Sequence, residues 1–421
     1  MQLPQDFILQ MQTILGVEEL QQLLVAIDTP SPTTIRINPA KADRAMLGCT
    51  EAEQVPWCDE GVYLPIRPTF TLDPLFHAGA YYVQEASSMF IAHLLRQYVG
   101  DSDVTALDLC AAPGGKSTLM QACLSAGSTL VANEIMPKRA WILRENISKW
   151  GGGNVMVTNN RPEDFFRLRD VFDLILCDVP CSGEGMFRKD EGAIRDWSLQ
   201  NVEMCAQRQR DIVAAIWDCL RPDGLMIYST CTYNTHEDEE NVRWISQELG
   251  ADILPCNPLP QWNIVGNLLD DTFPCCHFFP HRIQGEGFFC AILRKHGSHD
   301  SLTPSIRNSV TPLLAKHLRL LPDPLVTSLP LGGFCPPITG EPKGVQRPLI
   351  GGGLNVEVDH DTALRYLRGE AITLPPDTPR GLVTITHRQL PLGPAKNIGT
   401  RANNLYPKEW RIRMQIERTK D

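Results

Sequence analysis

Between Val104 and Arg294 short apolar runs alternate with stretches of helical periodicity, and few folds accommodate that pattern. The runs are ALDLC, TLVANE, NVMVT, FDLILCDVP and GLMIYSTC. Between them lie TLMQACLSA, PKRAWILRENISKW and a longer helical stretch around 200–220. Strands of four to six uninterrupted apolar residues are buried on both faces, and strand–helix alternation covers those faces with helices. The expectation is an α/β, doubly wound and mainly parallel sheet.

The chain has 421 residues, too many for one ordinary domain. Residues 1–100 mix a helical stretch from Phe7 to Ile27, a strand-like TTIRINPA at 33–40 and a helix near 84–99, which suggests an α+β domain. Residues 101–296 form the α/β domain. Residues 297–368 begin with a polar segment rich in Ser and Pro, read as a linker and an intermediate domain. Residues 369–421 carry short alternating stretches suited to a small β-rich module. No long apolar run and no signal-peptide pattern is present, so a cytoplasmic protein without a membrane partner is expected. The 14 cysteines form no paired CxxC sets, so neither a metal nor a disulfide framework is expected. Lys and Arg number 39 against 49 Asp and Glu, yet from residue 300 onward the balance is 16 to 11. A basic tail on an acidic body fits a module that touches phosphates, or a solvated basic surface.

LDLCAAPGGKST at 107–118 joins a predicted strand to a predicted helix. Gly114 and Gly115 permit a sharp turn, and the helix start offers free N–H groups. A phosphate-binding P-loop would need glycine where Cys110 stands, and a dinucleotide fingerprint would need GxGxxG, which is absent. A methyltransferase loop needs a small-residue turn after the first strand and an acid at the end of the second, and Glu134 supplies that acid. A plain strand–turn–helix connection is the remaining reading of this loop.

FDLILCD runs into Asp178-Val179-Pro180-Cys181, and fifty residues later LMIYS runs into Thr230-Cys231-Thr232. Both cysteines and Asp178 therefore sit at carboxyl ends of predicted strands, where ligands bind in open α/β sheets. Enzymes that methylate an exocyclic amine use Asn or Asp followed by Pro-Pro and an aromatic, so a different reaction is indicated. Carbon 5 of cytosine is a poor nucleophile until a thiolate adds to carbon 6, a form of covalent catalysis. Arg188 and Lys189 are candidates to favour the thiolate, and Asp178 can hold or protonate the ring at N3. A second thiol can assist product release.

AGAYYVQEASSM (78–89), LDLCAAPGGKST (107–118), ANEIMPKRAWILRENI (132–147), CDVPCSGEGMFRKD (177–190) and YSTCTYNTHEDEENV (228–242) together resemble the RsmB/RsmF-type and Nop2/Sun-type RNA 5-methylcytosine methyltransferases. Among these the chain is most similar to bacterial RsmF-type 16S rRNA enzymes. The resemblance implies a Rossmann-like class I methyltransferase domain and S-adenosylmethionine as cofactor. It implies Cys231 as nucleophile and Cys181 as the residue aiding release. It places Cys110, Ala111, Ala112, Pro113, Gly114, Gly115, Lys116, Glu134 and Asp178 along the cofactor, with Asp178 shared with the cytosine. Many relatives carry an Asp near the adenine after the third strand, whereas here NNRPEDF puts Asn160 or Arg161 there, with Asp164 further on.

The tail AKNIGTRANNLYPKEWRIRM (395–414) resembles the PUA-like module of RsmF-type enzymes, and its basic, Asn and aromatic residues suit RNA backbone contacts and stacking. Tyr406 and Trp410 suit a small core equally well. The acids of HEDEEN and His236 are read as a helix-start cluster rather than a metal site. The expected function is cytosine-5 methylation of rRNA, in or near the small ribosomal subunit, by a monomer. The alternatives are a tRNA cytosine-5 methyltransferase and a non-catalytic ribosome-assembly factor.

Overall fold

A computed structural model describes residues 3–269, 273–297, 310–322 and 354–414. The chain opens with helix α1 (Gln5–Ile27), broken where Gly16 takes a left-handed φ of 77°. Strands β1 (Thr33–Ile37), β2 (Gly61–Leu64) and β3 (Tyr81–Val83) form an antiparallel sheet in the order β2-β1-β3, with the short helix α2 (Pro74–His77) against it. Helix α3 (Ile91–Tyr98) starts later than the expected 84. Gln84 faces the buried Arg36, and Glu85 accepts the N–H groups of Ser87 and Ser88 in a short 3₁₀ turn.

The central sheet follows the expected alternation: β4 (Thr105–Asp108), α4 (Gly115–Cys123), β5 (Thr129–Asn133), α5 (Pro137–Trp150), β6 (Val155–Thr158) and β7 (Phe172–Asp178). Helices α6 (Glu191–Asp196) and α7 (Leu199–Trp217) lead into β8 (Leu220–Thr230) and α8 (Glu239–Leu249). The sheet ends with β9 (Ala251–Leu254), β10 (Cys276–Phe278) and β11 (Phe288–Lys295). Its order is β10-β11-β8-β7-β4-β5-β6, with β9 also on β11. Strands β4 to β8 are parallel, while β11 runs antiparallel to β8. The order reverses between β4 and β7, and a crevice at the carboxyl ends of the strands follows from that reversal. Two apolar clusters fill the faces, one built on Leu174, Leu176 and Ile227 and the other on Leu107, Ile175 and Met226, as the alternation of side chains along each strand requires.

The grouping of the later residues differs from the expected division. Residues 310–322 do not stand apart as a linker. Helix α9 (Val310–His317) buries Val310 and Leu314 in the methyltransferase core, and Leu320 bridges to Thr158 at the edge of β6. The C-terminal sheet already begins at β12 (Leu354–Glu357), ahead of 369, because β12 pairs parallel with β13 (Gly381–His387) through helix α10 (His360–Leu367). Strands β14 (Leu390–Asn397) and β15 (Ala402–Asn404) complete the order β12-β13-β14-β15. The glycine run 351–353 lies outside the described residues. Among the described residues no helix is long and apolar enough to cross a membrane.

Candidate active site

The loop after β4 is held from below. Ala111 N–H donates to the Asn133 carbonyl at 2.8 Å, and the Asn133 amide donates to the Leu109 carbonyl at 3.1 Å. From the side, α5 reaches over it: Arg139 donates to the Ala112 carbonyl at 2.8 Å and Asn146 to the Pro113 carbonyl at 2.7 Å. Gly114 caps α4 with a φ of 116°, a region that side chains disfavour. Carrying Leu143 within 3.2 Å of an added Cβ, it also has little room for one.

Three carboxyl groups end three neighbouring strands here. Asp108 is wholly buried, with one oxygen accepting Ser117 Oγ at 2.6 Å and the other without a partner. Burial pushes its pKa up to about 7. Glu134 follows β5, almost fully buried, with Oε1 accepting the Met136 N–H at 2.8 Å and Oε2 3.5 Å from Arg139. Asp178 ends β7, bound on one side by Lys116 Nζ at 2.8 Å and on the other by Ser229 Oγ at 2.8 Å. Burial lowers the pKa of Lys116, but the neighbouring Asp178 and Cys231 outweigh it and raise it above its ordinary value.

The two loops that carry the cysteines are brought into contact. Cys181 Sγ lies 3.2 Å from Cys231 Sγ, and the Cys231 N–H points to Cys181 Sγ at 3.4 Å. The hydrogen bond to Cys231, helped by burial, raises the Cys181 thiol well above its ordinary value. Arg188 and Lys189 are not the cations of this pair. Arg188 donates to the carbonyls of Pro30 and Gly285, and Lys189 pairs with Glu286. Lys116 takes the place expected of them.

The local sequence marks no role for Glu184, yet it is the clamp between the loops. Its carboxylate accepts Thr232 Oγ1 at 2.5 Å, the N–H groups of Tyr233 and Asn234 at 2.8 and 3.1 Å, and Trp197 Nε1 at 3.0 Å. Glu237 adds a second tie by accepting the Ser182 N–H at 2.9 Å. Gly185 permits the crossing, since an added Cβ would stand 2.6 Å from the Gly287 carbonyl oxygen and 3.0 Å from that of Cys231. Of the acidic stretch after Cys231, only His236 and Glu240 face outwards as a pair. Glu237, Asp238 and Glu239 turn inwards, with Glu239 bound to His277 at 2.8 Å.

A ligand bearing an ammonium, a sulfonium and ribose hydroxyls suits this donor set. Three acids converge on it, one with an unpartnered oxygen, and α4 contributes free first-turn N–H groups. Beyond Glu134 the apolar side chains of Ile135 and Met136 stay half exposed beside a cavity of about 490 Å³. In the tail, Tyr406 and Trp410 are buried against each other in the core, so they are not the stacking residues of an RNA surface.

Comparison with known proteins agrees with the geometry. The model of the 16S rRNA methyltransferase RsmB/F family matches residues 98–294, that of the N-terminal domain of 16S rRNA methyltransferase RsmF residues 3–86, and that of the methyltransferase RsmF PUA domain residues 354–412. The ribosomal RNA small subunit methyltransferase F of Erwinia tasmaniensis is 30% identical over 96% of this chain and 96% of its own length. Its namesake from Pectobacterium atrosepticum is 36% identical over 70% of this chain and 63% of its own. A methyltransferase homolog protein from Pyrococcus horikoshii shares the fold at 24% identity with a TM-score of 0.59, covering 69% of this chain and 95% of that one. The chain therefore belongs to the RsmB/F family of methyltransferases, enzymes that use S-adenosylmethionine.

Proposed function

We propose that the protein methylates carbon 5 of a cytosine in small-subunit rRNA through a covalent bond between Cys231 and the base. The observation that carries this reading is the pair of thiols 3.2 Å apart, set beside the Asp178–Lys116 pair at the carboxyl ends of β7 and β8. Support for the RNA comes from the names of the relatives and from the C-terminal PUA domain. The cytosine has to be unstacked for its carbon 6 to be reached.

Cys231 attacks as a thiolate, favoured by the Cys181 S–H and by the Lys116 charge. As its sulfur bonds to carbon 6, the ring electrons move to N3, which takes a proton from the Lys116 ammonium through Asp178 and returns it when the carbon 5–carbon 6 double bond re-forms. When bound, S-adenosylmethionine would supply the methyl group as a sulfonium, the carbon 5–methyl bond forming as the sulfur–methyl bond breaks and S-adenosylhomocysteine is left. The carbon 5 proton then passes to water, the carbon 5–carbon 6 double bond re-forms, and Cys231 leaves as a thiolate. Cys181 donates to that leaving sulfur, so its loss should stall the last step. Asp108, Glu134, Asp178 and the 110–116 loop bind the cofactor.

The test is a pair of substitutions with small-subunit rRNA as substrate. Cys231→Ala should abolish methylation and form no adduct. Cys181→Ala should accumulate protein covalently attached to RNA, visible as a denaturant-stable band. Turnover by the Cys231 variant would remove the mechanism.

A further inference from the structure

One wall of the cavity beyond Glu134 comes from outside the expected methyltransferase boundary. The cavity is bordered by Ile135 and Met136 after β5, by Asn160, Arg161 and Asp164 after β6, and by Arg319 after α9. Arg319 is fixed there by its backbone. Asn160 Oδ1 accepts the Arg319 N–H at 3.0 Å, and Asn160 Nδ2 donates to the Arg319 carbonyl at 3.4 Å. The Asn159 N–H donates to the same carbonyl at 3.0 Å, and Leu321 N–H donates to the Val157 carbonyl at 2.8 Å. Leu314 and Leu318 anchor the segment in the core. Residues 319–321 thus lie as an extra edge on β6.

This arrangement explains why residue 160 is an amide. The side chain has to accept and donate at once, and a carboxylate only accepts. With Asn160 turned to the Arg319 backbone, the polar contact that an acid would make at this end of the site passes to other side chains. The side chain of Arg319 is exposed while its backbone is clasped, so the guanidinium extends from a fixed point on the cavity rim. The same cavity is lined by the half-exposed apolar side chains of Ile135 and Met136. An apolar floor and a guanidinium suit a flat heteroaromatic base, which guanidinium groups bind by stacking and by hydrogen bonds to ring nitrogens.

We propose that the 318–321 segment completes the cofactor site, with Arg319 binding the adenosine end of S-adenosylmethionine and Asn160 acting as the positioning residue that holds Arg319. The inference rests on the cofactor lying along the ends of β4 and β5, with its ribose at Glu134.

The test is calorimetric binding of S-adenosylhomocysteine to the full chain. Arg319→Ala should raise Kd about tenfold without changing the thermal midpoint, and Arg319→Lys should recover part of the loss. Asn160→Asp should raise Kd in the parent protein but add nothing in the Arg319→Ala background, the signature of two residues acting as one. An equal effect of Asn160→Asp in both backgrounds would overturn the positioning role. Unchanged affinity in Arg319→Ala, while Glu134→Ala weakens binding, would overturn the proposal and leave the cofactor site where it is placed. If neither substitution weakened binding, both would fall.

Discussion

Lys116 connects the cofactor loop to the reacting base, because its ammonium binds Asp178 and feels the charge of Cys231. Replacing it with Met keeps the bulk and removes the charge. The expected result is a fall in kcat on the order of a hundredfold, the scale of losing one preorganised donor, with the KM for RNA little changed. Asp108 gives a pH signature. Its folded pKa of about 7 lies above the ordinary carboxyl value, so the folded protein holds a proton through that interval and gives it up above neutrality. The proton's departure adds a negative charge beside a cationic ligand. Affinity for S-adenosylmethionine should therefore rise between pH 6 and 8, and in Asp108→Asn that dependence should vanish. The chain announces some of these residues more plainly than others. Gly114 and Gly115 announce a turn, and Glu134 and Asp178 announce strand ends, because backbone demands and strand periodicity are local. Which cation serves Cys231 is not local: Arg188 and Lys189 are nearer in sequence to Cys181, but tertiary packing turns them to Gly285 and Glu286.

At the scale of elements, two catalytic loops fifty residues apart are joined by one buried carboxylate. Glu184 meets donors from Thr232, Tyr233, Asn234 and Trp197, and nothing in its local sequence distinguishes it from a solvated acid. Glu184→Gln keeps the shape but turns an N–H₂ group towards donors. Leaving buried N–H groups unsatisfied costs about 1–3 kcal/mol each. The expected outcome is a lower thermal midpoint, a kcat reduced at least tenfold and an unchanged Kd for S-adenosylhomocysteine, since α4 and β5 are untouched. An unaltered midpoint would contradict the clamp. The parallel strands were legible because they are uninterrupted apolar runs flanked by helices. Strand β11 is apolar as well, but its antiparallel direction depends on its pairing with β8, and no periodicity encodes direction. The edge at 319–321 is not legible for a related reason, since three residues that bridge to β6 carry no pattern of their own.

Across the whole molecule, the two ends of the chain share one core. Ile35, Val62 and Tyr81 of the N-terminal sheet belong to the same apolar cluster as Ile385, Tyr406 and Trp410 of the C-terminal sheet, and Lys149 of α5 lies 5.6 Å from the Trp410 ring and 6.0 Å from that of Phe76. This joint body is pinned to the cofactor helix. Arg36, fully buried, donates to Gln84 at 2.8 Å, to Thr118 Oγ1 at 2.6 Å and to the Gly115 carbonyl at 3.2 Å, and Lys41 reaches the carbonyls of Ala78 and Lys149. A core that crosses module boundaries cannot melt one module at a time without exposing apolar surface on the other. Trp410→Ala should therefore lower the unfolding temperature of the whole protein by about 3–6 °C, from a cavity cost of about 3–5 kcal/mol, as one calorimetric transition. S-adenosylhomocysteine, bound at the start of α4 beside the turn that Arg36 holds, should raise that same transition, because ligand that binds only the folded form stabilises every part that unfolds with it. A separate early transition, insensitive to the ligand and shifted alone by Trp410→Ala, would mean that the C-terminal sheet is an independent body and that the shared core does not couple it to the active site.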